Sequence, residues 1–260
     1  MSDEKMRALV SGLVNYLDCP CTYFAPMIDD DPLMEAYEKA REESAQSKDF
    51  VPVFVVPSDT LLETLVMNSD PTNEGRVYDF DKDEIAEYRR GILETDPNNG
   101  EEAIQNLLSI TQEVLGDPSV FEDMINQSGG NTEAEDRIMT WWDFDSTMTN
   151  HIILARIPVE KVYEIFAWLP MGGWNACPNN EDLKVISKLW FEKYGARPVV
   201  VSADGIDFML DEPVSASEAK DLAIKHYAFC PDLLEDREGV TISSYAEILA
   251  KSKIWNFWWD

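Results

Sequence analysis

Four side chains in this sequence have types and spacing suited to chemistry: Cys177, His226, Cys230 and Asp232. His226 and Cys230 stand at i and i+4, and Asp232 closes the same stretch, "HYAFCPD". A Cys–His–carboxylate set serves nucleophilic catalysis, because imidazole can withdraw the thiol proton while a carboxylate orients the ring. The same atoms can hold Zn²⁺. A plainer role competes with both. Cys is among the most buried residue types. Ala219, Leu222 and Ala223 share the stripe of His226 and Cys230, so the pair is expected to face the core.

Cys177 belongs to "GGWNACPNN", residues 172–180. Gly172 and Gly173 permit positive φ or a close backbone approach. Pro178 and Asn179 then lead into a helix whose first turn holds Glu181 and Asp182. A helix N-terminus after a glycine loop can hold an anion. Those carboxylates already complement the helix dipole and repel a phosphate. The loop therefore reads as a structural turn first and a ligand loop second, with Trp174 and Asn175 favouring the ligand. Asp204, in the turn Ala203-Asp204-Gly205, and Trp258, near the end of the chain, complete the candidate ligand-binding set.

Other patterns fail on detail. "CPC" at 19–21 is not the Cys-x₂-Cys of zinc sites. Only His151 and His226 are present, which leaves no His-rich metal motif. "DFDKDEIAEYRR" places Asp79, Asp81 and Asp83 at calcium-loop positions, but Glu84 stands where Gly belongs and Arg90 where Glu belongs. A helix start rich in acid explains it better, as it explains Asp29–Asp31 before Pro32. No Gly-x-Ser-x-Gly, P-loop or dinucleotide fingerprint occurs. Neither a metal nor a cofactor is expected.

The charge balance is strongly acidic: 21 Lys+Arg against 50 Asp+Glu over 260 residues. Cutting after Gly130 leaves 9 basic and 28 acidic residues before the cut (net −19), and 12 and 22 after it (net −10). Such a field repels phosphate backbones and anionic headgroups. Nucleic acid and membrane are not expected partners; a basic protein is, although solubility alone also explains acidity. The first 17 residues read as an amphipathic helix rather than a signal peptide, and no run of 18 apolar residues occurs. A cytoplasmic setting is expected, where thiols stay reduced.

These side chains need elements to position them. Helical spacing covers 4–17 and the polar stretch from Pro32. Residues 50–56 read as the one short strand of an acidic, mostly helical region 1–130, followed by a helix capped at Ser58 or Asp59. "NQSGGNTEAED" (126–136) is the candidate boundary. Beyond it, "HIILARIP" reads as a strand, "VEKVYEIFAWL" as a helix, and "EDLKVISKLWFEKYGA" as a helix ended by Gly195. Two strands follow, joined at Asp204-Gly205. Next come a helix with a Ser215/Glu218 capping box, a further helix, and a closing strand "IWNFWWD". In that strand Trp255, Phe257 and Trp259 share one face, which suits an interior place in the sheet. The expected fold is α+β, helices on a mixed, mostly antiparallel sheet, with a ferredoxin-like split β-α-β arrangement for 131–260.

"GGWNACP", "WFEKYGA", "HYAFCPD" and "WNFWWD" follow one another in this order. Residues from about 150 to 260 thereby resemble the bacterial family called domain of unknown function 4253. Its members carry a Gly-Gly-Trp-Asn-x-Cys-Pro loop, a Trp-x-x-x-Tyr-Gly-Ala helix end, an aromatic-Cys-Pro-Asp turn and a closing Trp-x-Phe-Trp-Trp-Asp. Ala203 stands where the family pattern leads one to expect Gly. The resemblance implies a domain and transfers no activity. The expectation is therefore a non-catalytic acidic binding protein, for example an antidote to a basic protein. The alternative is a thiol-dependent or small-ligand enzyme with a pocket between the GGWNACP loop and the Cys-Pro-Asp turn.

Overall fold

The computed structural model describes residues 3–260 except Glu74, Ser128 and Asp236. Ser128 is the one position of the expected boundary loop that lies outside the described residues. Strands β1 (Cys21–Phe24), β2 (Val51–Val55), β3 (Ile152–Ile157), β4 (Arg197–Val201), β5 (Gly205–Met209) and β6 (Ile254–Trp258) make a mixed sheet in the order β1-β3-β2-β4-β5-β6. Every neighbouring pair is antiparallel except β2–β4. The fold is α+β, as composition and pattern indicate.

Helices clothe both faces. Alternation along the strands divides the side chains: Val53, Val55, Ile153 and Ala155 point to one core, Phe54, Ile152 and Leu154 to the other. The larger core lies under α1 (Asp3–Leu17), α3 (Asp59–Ser69), α7 (Asn180–Tyr194), α8 (Ala216–Phe229) and α9 (Ile242–Leu249). The smaller lies under α2 (Asp31–Ser47) and the loop bearing Ile138 and Trp141. Of the remaining helices, α4 (Lys82–Glu94) meets the turn Val162–Ala167, α5 (Gly100–Leu115) packs on α7 and α8, and α6 (Pro118–Asn126) packs on α9.

Several expectations are corrected. The region before Gly130 contributes two strands, not one. β1 is four residues long with both central side chains exposed, so it carries no alternating signal. The sheet also runs across Gly130: β2 lies between β3 and β4. Consequently no ferredoxin-like interleaving forms. β4, β5 and β6 run as an antiparallel meander, and β3 is separated from them by β2. β6 is an edge strand rather than an interior one. The stretch between Pro158 and Pro170 makes only a 3₁₀ turn, Val162–Ala167. The Ser215/Glu218 capping box does not form either; the Ser215 hydroxyl bonds the Glu218 carboxylate directly, and Glu218 N donates to the Ser215 carbonyl at 3.0 Å instead of to its side chain.

Other termini behave as their residues dictate. Ser58 Oγ accepts from Leu61 N at 3.0 Å. Gly195 ends α7 at φ 71°, a left-handed conformation that glycine adopts at no cost. Two buried cations close helix C-termini, where the dipole is negative. Lys184 Nζ donates to the carbonyls of Ile92, Leu93 (3.0 Å) and Thr95 (3.0 Å) at the end of α4. Arg89 Nη2 donates to Tyr16 O at 2.7 Å near the end of α1 and stacks over Trp168.

Candidate functional site

The GGWNACP loop is built by its own backbone. A Cβ on Gly172 would collide with the carbonyl oxygen of Pro178, so the chain needs glycine there. Gly173 has φ 88° and donates to the same Pro178 oxygen at 3.0 Å. Asn179 caps α7 through Asp182 N at 2.9 Å, and Asn180 Oδ1 accepts from Gly172 N at 2.9 Å. Trp174 Nε1 donates back to Met171 O at 2.8 Å. Two donors at this helix start, Asp182 N and Leu183 N, are thus satisfied by Asn179.

From this loop, and from two turns remote in sequence, polar groups converge on the last three residues. Asn175, held at φ 43°, donates from Nδ2 to the backbone oxygen of Asp260 at 2.6 Å. The Cys230 thiol donates to Trp258 O at 3.0 Å. Asp232 Oδ2 accepts from Asp260 N at 3.1 Å, and the Asp204 carbonyl accepts from Trp259 N at 2.9 Å. Asn175, Asp204, Cys230 and Asp232 therefore form a clasp around residues 258–260. Trp255, Phe257 and Trp259 beneath it are fully buried, while Trp258 is half-buried.

Among the described residues no side-chain hydrogen bond joins the His226 ring to Cys177, Cys230 or Asp232. His226 is fully buried, with Trp190, Trp255 and Phe257 at ring-centroid distances of 4.8, 4.6 and 4.9 Å. Its Nδ1 lies 3.3 Å from the Tyr245 hydroxyl and its Nε2 has no partner. Burial holds its pKa well below the ordinary imidazole range, and the nearby Arg237 lowers it further. Cys177 is buried, 3.9 Å from Met171 Sδ. Burial pushes its thiol pKa up, and Cys230 adds to the rise. Burial likewise pushes Cys230 up to about 12. Protonated thiols are poor nucleophiles. Of two shallow surface depressions, one of about 360 Å³ is lined by Asp59 and residues near Tyr78, the other of about 410 Å³ by residues near Phe50 and Arg156. Neither touches a candidate residue.

One polar centre escaped the sequence reading. Asp207 on β5 is fully buried on the sheet face opposite Ile206 and Phe208. It accepts from Met139 N and Thr140 N at 3.0 Å each, from Thr140 Oγ1 at 3.0 Å and from Asn256 Nδ2. Burial still pushes its pKa up to about 6 against those four donors. The sequence signal was available: a carboxylate stands in mid-strand between two core residues.

Fold and clasp together define an α+β protein whose closing edge strand is locked by three loops. Residues 153–260 match the model of the family described as Domain of unknown function (DUF4253). The match begins inside β3 and leaves out β1 and β2. No curated protein and no solved structure matches the chain.

Proposed function

We propose that this is a non-catalytic cytoplasmic protein that binds a basic partner. The observation that carries the reading is the outer surface of α5 and α6. Ile110 and Val114, one helical turn apart, are 58% and 81% exposed, and Val120 is 42% exposed. Residues 100–126 contain six Asp or Glu and no Lys or Arg. A partner whose Lys and Arg flank apolar side chains would bury the row and meet the bordering carboxylates. An antidote that neutralises a basic toxin or nuclease is one concrete form. The enzyme alternative draws no support from the candidate residues, which are engaged in the clasp or sealed in the core.

The test is affinity capture from the native host at low salt, then titration of the purified partner. Wild type should retain a basic protein whose on-rate falls steeply as salt rises. Ile110→Gln/Val114→Gln should weaken it by about tenfold or more. A partner without excess positive charge, or one indifferent to the double variant, would sink the reading.

A further inference from the structure

The sheet ends at β6 on one side, where the clasp holds the chain, and at β1 on the other. β1 has β3 as its only sheet neighbour, and Thr22 and Tyr23 are exposed. Cys21 pairs with Ala155, and one residue earlier Pro20 O accepts from Arg156 N at 2.9 Å. Backbone groups alternate in direction along an antiparallel strand. Thr22 and Phe24 therefore turn theirs to β3, while Cys21 and Tyr23 turn their N–H and C=O outward. Among the described residues no other strand meets these outward groups.

We propose that the outer edge of β1 is a docking site for an extended, cationic segment of another protein, which adds to the sheet as a further strand. Main-chain bonds to Cys21 and Tyr23 supply the affinity, and charge selects the occupant. Residues 19–28 carry no charged side chain, whereas Asp18 precedes them and Asp29, Asp30 and Asp31 follow. No Lys or Arg occurs between Arg7 and Lys39. The cations that neighbouring elements bring are engaged: Lys82 with Asp18 at 3.0 Å, and Arg156 with Glu43 at 2.6 Å. Asp29, Asp30 and Asp31 bring carboxylate oxygens within 4.8 Å of one another, and among the described residues no Lys or Arg pairs with them. A Lys or Arg at the end of the added strand meets that unneutralised charge.

A second copy of this chain is the poorer occupant, because it would bring the same net charge of −29. Of the devices that blunt sheet edges, β1 has only its shortness and the prolines at its ends, Pro20 and Pro26; it carries no Lys and no bulge. Those prolines limit the added strand to about four residues, a length of roughly 13 Å. The edge lies on a different element from the α5–α6 row, so the two readings stand or fall separately.

The full chain is titrated into a fluorescein-labelled peptide, Lys-Thr-Val-Thr-Val-Lys, with Glu-Thr-Val-Thr-Val-Glu as its acidic counterpart, and anisotropy is read. The Lys peptide should bind saturably, and the Glu peptide about tenfold more weakly or worse. Tyr23→Pro deletes an outward donor and spares the bonds to β3. It should weaken the Lys peptide by about tenfold or more. Tyr23→Thr, which keeps the donor, and Ile110→Gln/Val114→Gln should bind as wild type does. Should Tyr23→Pro fail to fold, amide hydrogen exchange on wild type decides. The Lys peptide must then slow exchange at Cys21 and Tyr23, but not at Thr22 and Phe24, which already face β3. The proposal is overturned if the Lys peptide does not bind, if the Glu peptide binds as tightly, if Tyr23→Pro binds like wild type, or if exchange at Cys21 and Tyr23 is unchanged. It is also overturned if those two amides become protected when the protein alone is concentrated, which would make a second copy the occupant.

Discussion

At the scale of single residues, His226 has no room for a charge. Its ring is enclosed by aromatics, and one ring nitrogen lacks a partner. In the folded chain it stays neutral, whereas in the unfolded chain it protonates near pH 6.5. Below that pH the unfolded state binds one more proton, so this group's contribution to stability is full above pH 6.5 and is lost as pH falls. The slope is up to about 1.4 kcal/mol per pH unit, down to its depressed folded-state pKa. His226→Phe should remove that component, so wild type should lose stability more steeply than the variant between pH 6.5 and 5 in urea titrations. Parallel curves would mean the imidazole reaches water. Cys177 follows the same logic of burial. In the native state it should resist iodoacetamide at neutral pH and react only after unfolding, as peptide mass spectrometry would show. Rapid selective alkylation would return the enzyme reading to first place.

At the scale of elements, β6 is an edge strand stabilised by its aromatic face and by the clasp. Deleting Trp255–Asp260 removes three fully buried aromatics. Each such loss costs about 3–5 kcal/mol, against about 5–15 kcal/mol holding a whole domain. The truncated chain should show no cooperative thermal transition, and a sharp near-native melt would contradict the core role. Lys184 tests a different joint. Lys184→Met keeps the apolar stem but leaves the carbonyls of Ile92, Leu93 and Thr95 without their shared donor. The expected cost is about 1–3 kcal/mol, read as a lower denaturant midpoint at unchanged slope. An unchanged midpoint would mean water satisfies those carbonyls equally well.

At the scale of the whole molecule, the sheet joins the two regions on either side of the loop at 126–136. β2, from the acidic region, lies between β3 and β4 of the matched domain. A fragment 131–260 would lack the neighbours of β3 on both sides and expose Ile153, Ala155 and Val201, which are buried in the intact chain. It should fail to fold cooperatively alone and should regain structure when fragment 1–130 is added, as circular dichroism would record. A sharp independent melt of 131–260 would show that β2 is dispensable.

Local chemistry by itself determined much of this protein. The helix from Asn180 to Gly195, the Asp204-Gly205 hairpin, the Ser58 cap and the buried face of Trp255, Phe257 and Trp259 all follow from interactions within a few residues. The glycine pair at 172–173 was legible as a structural turn for the same reason. Tertiary structure alone decided the strand order, the edge place of β6 and the entry of β2 into the sheet, because pairing partners about 50 to 150 residues apart leave no local periodicity. It also decided what the candidate residues do. Asn175, Asp204, Cys230 and Asp232 were recognisable as polar groups gathered near special backbone, but a ligand site and a clasp for the chain's own end use the same donors and acceptors. Only the arrival of residues 258–260 among them separates the two.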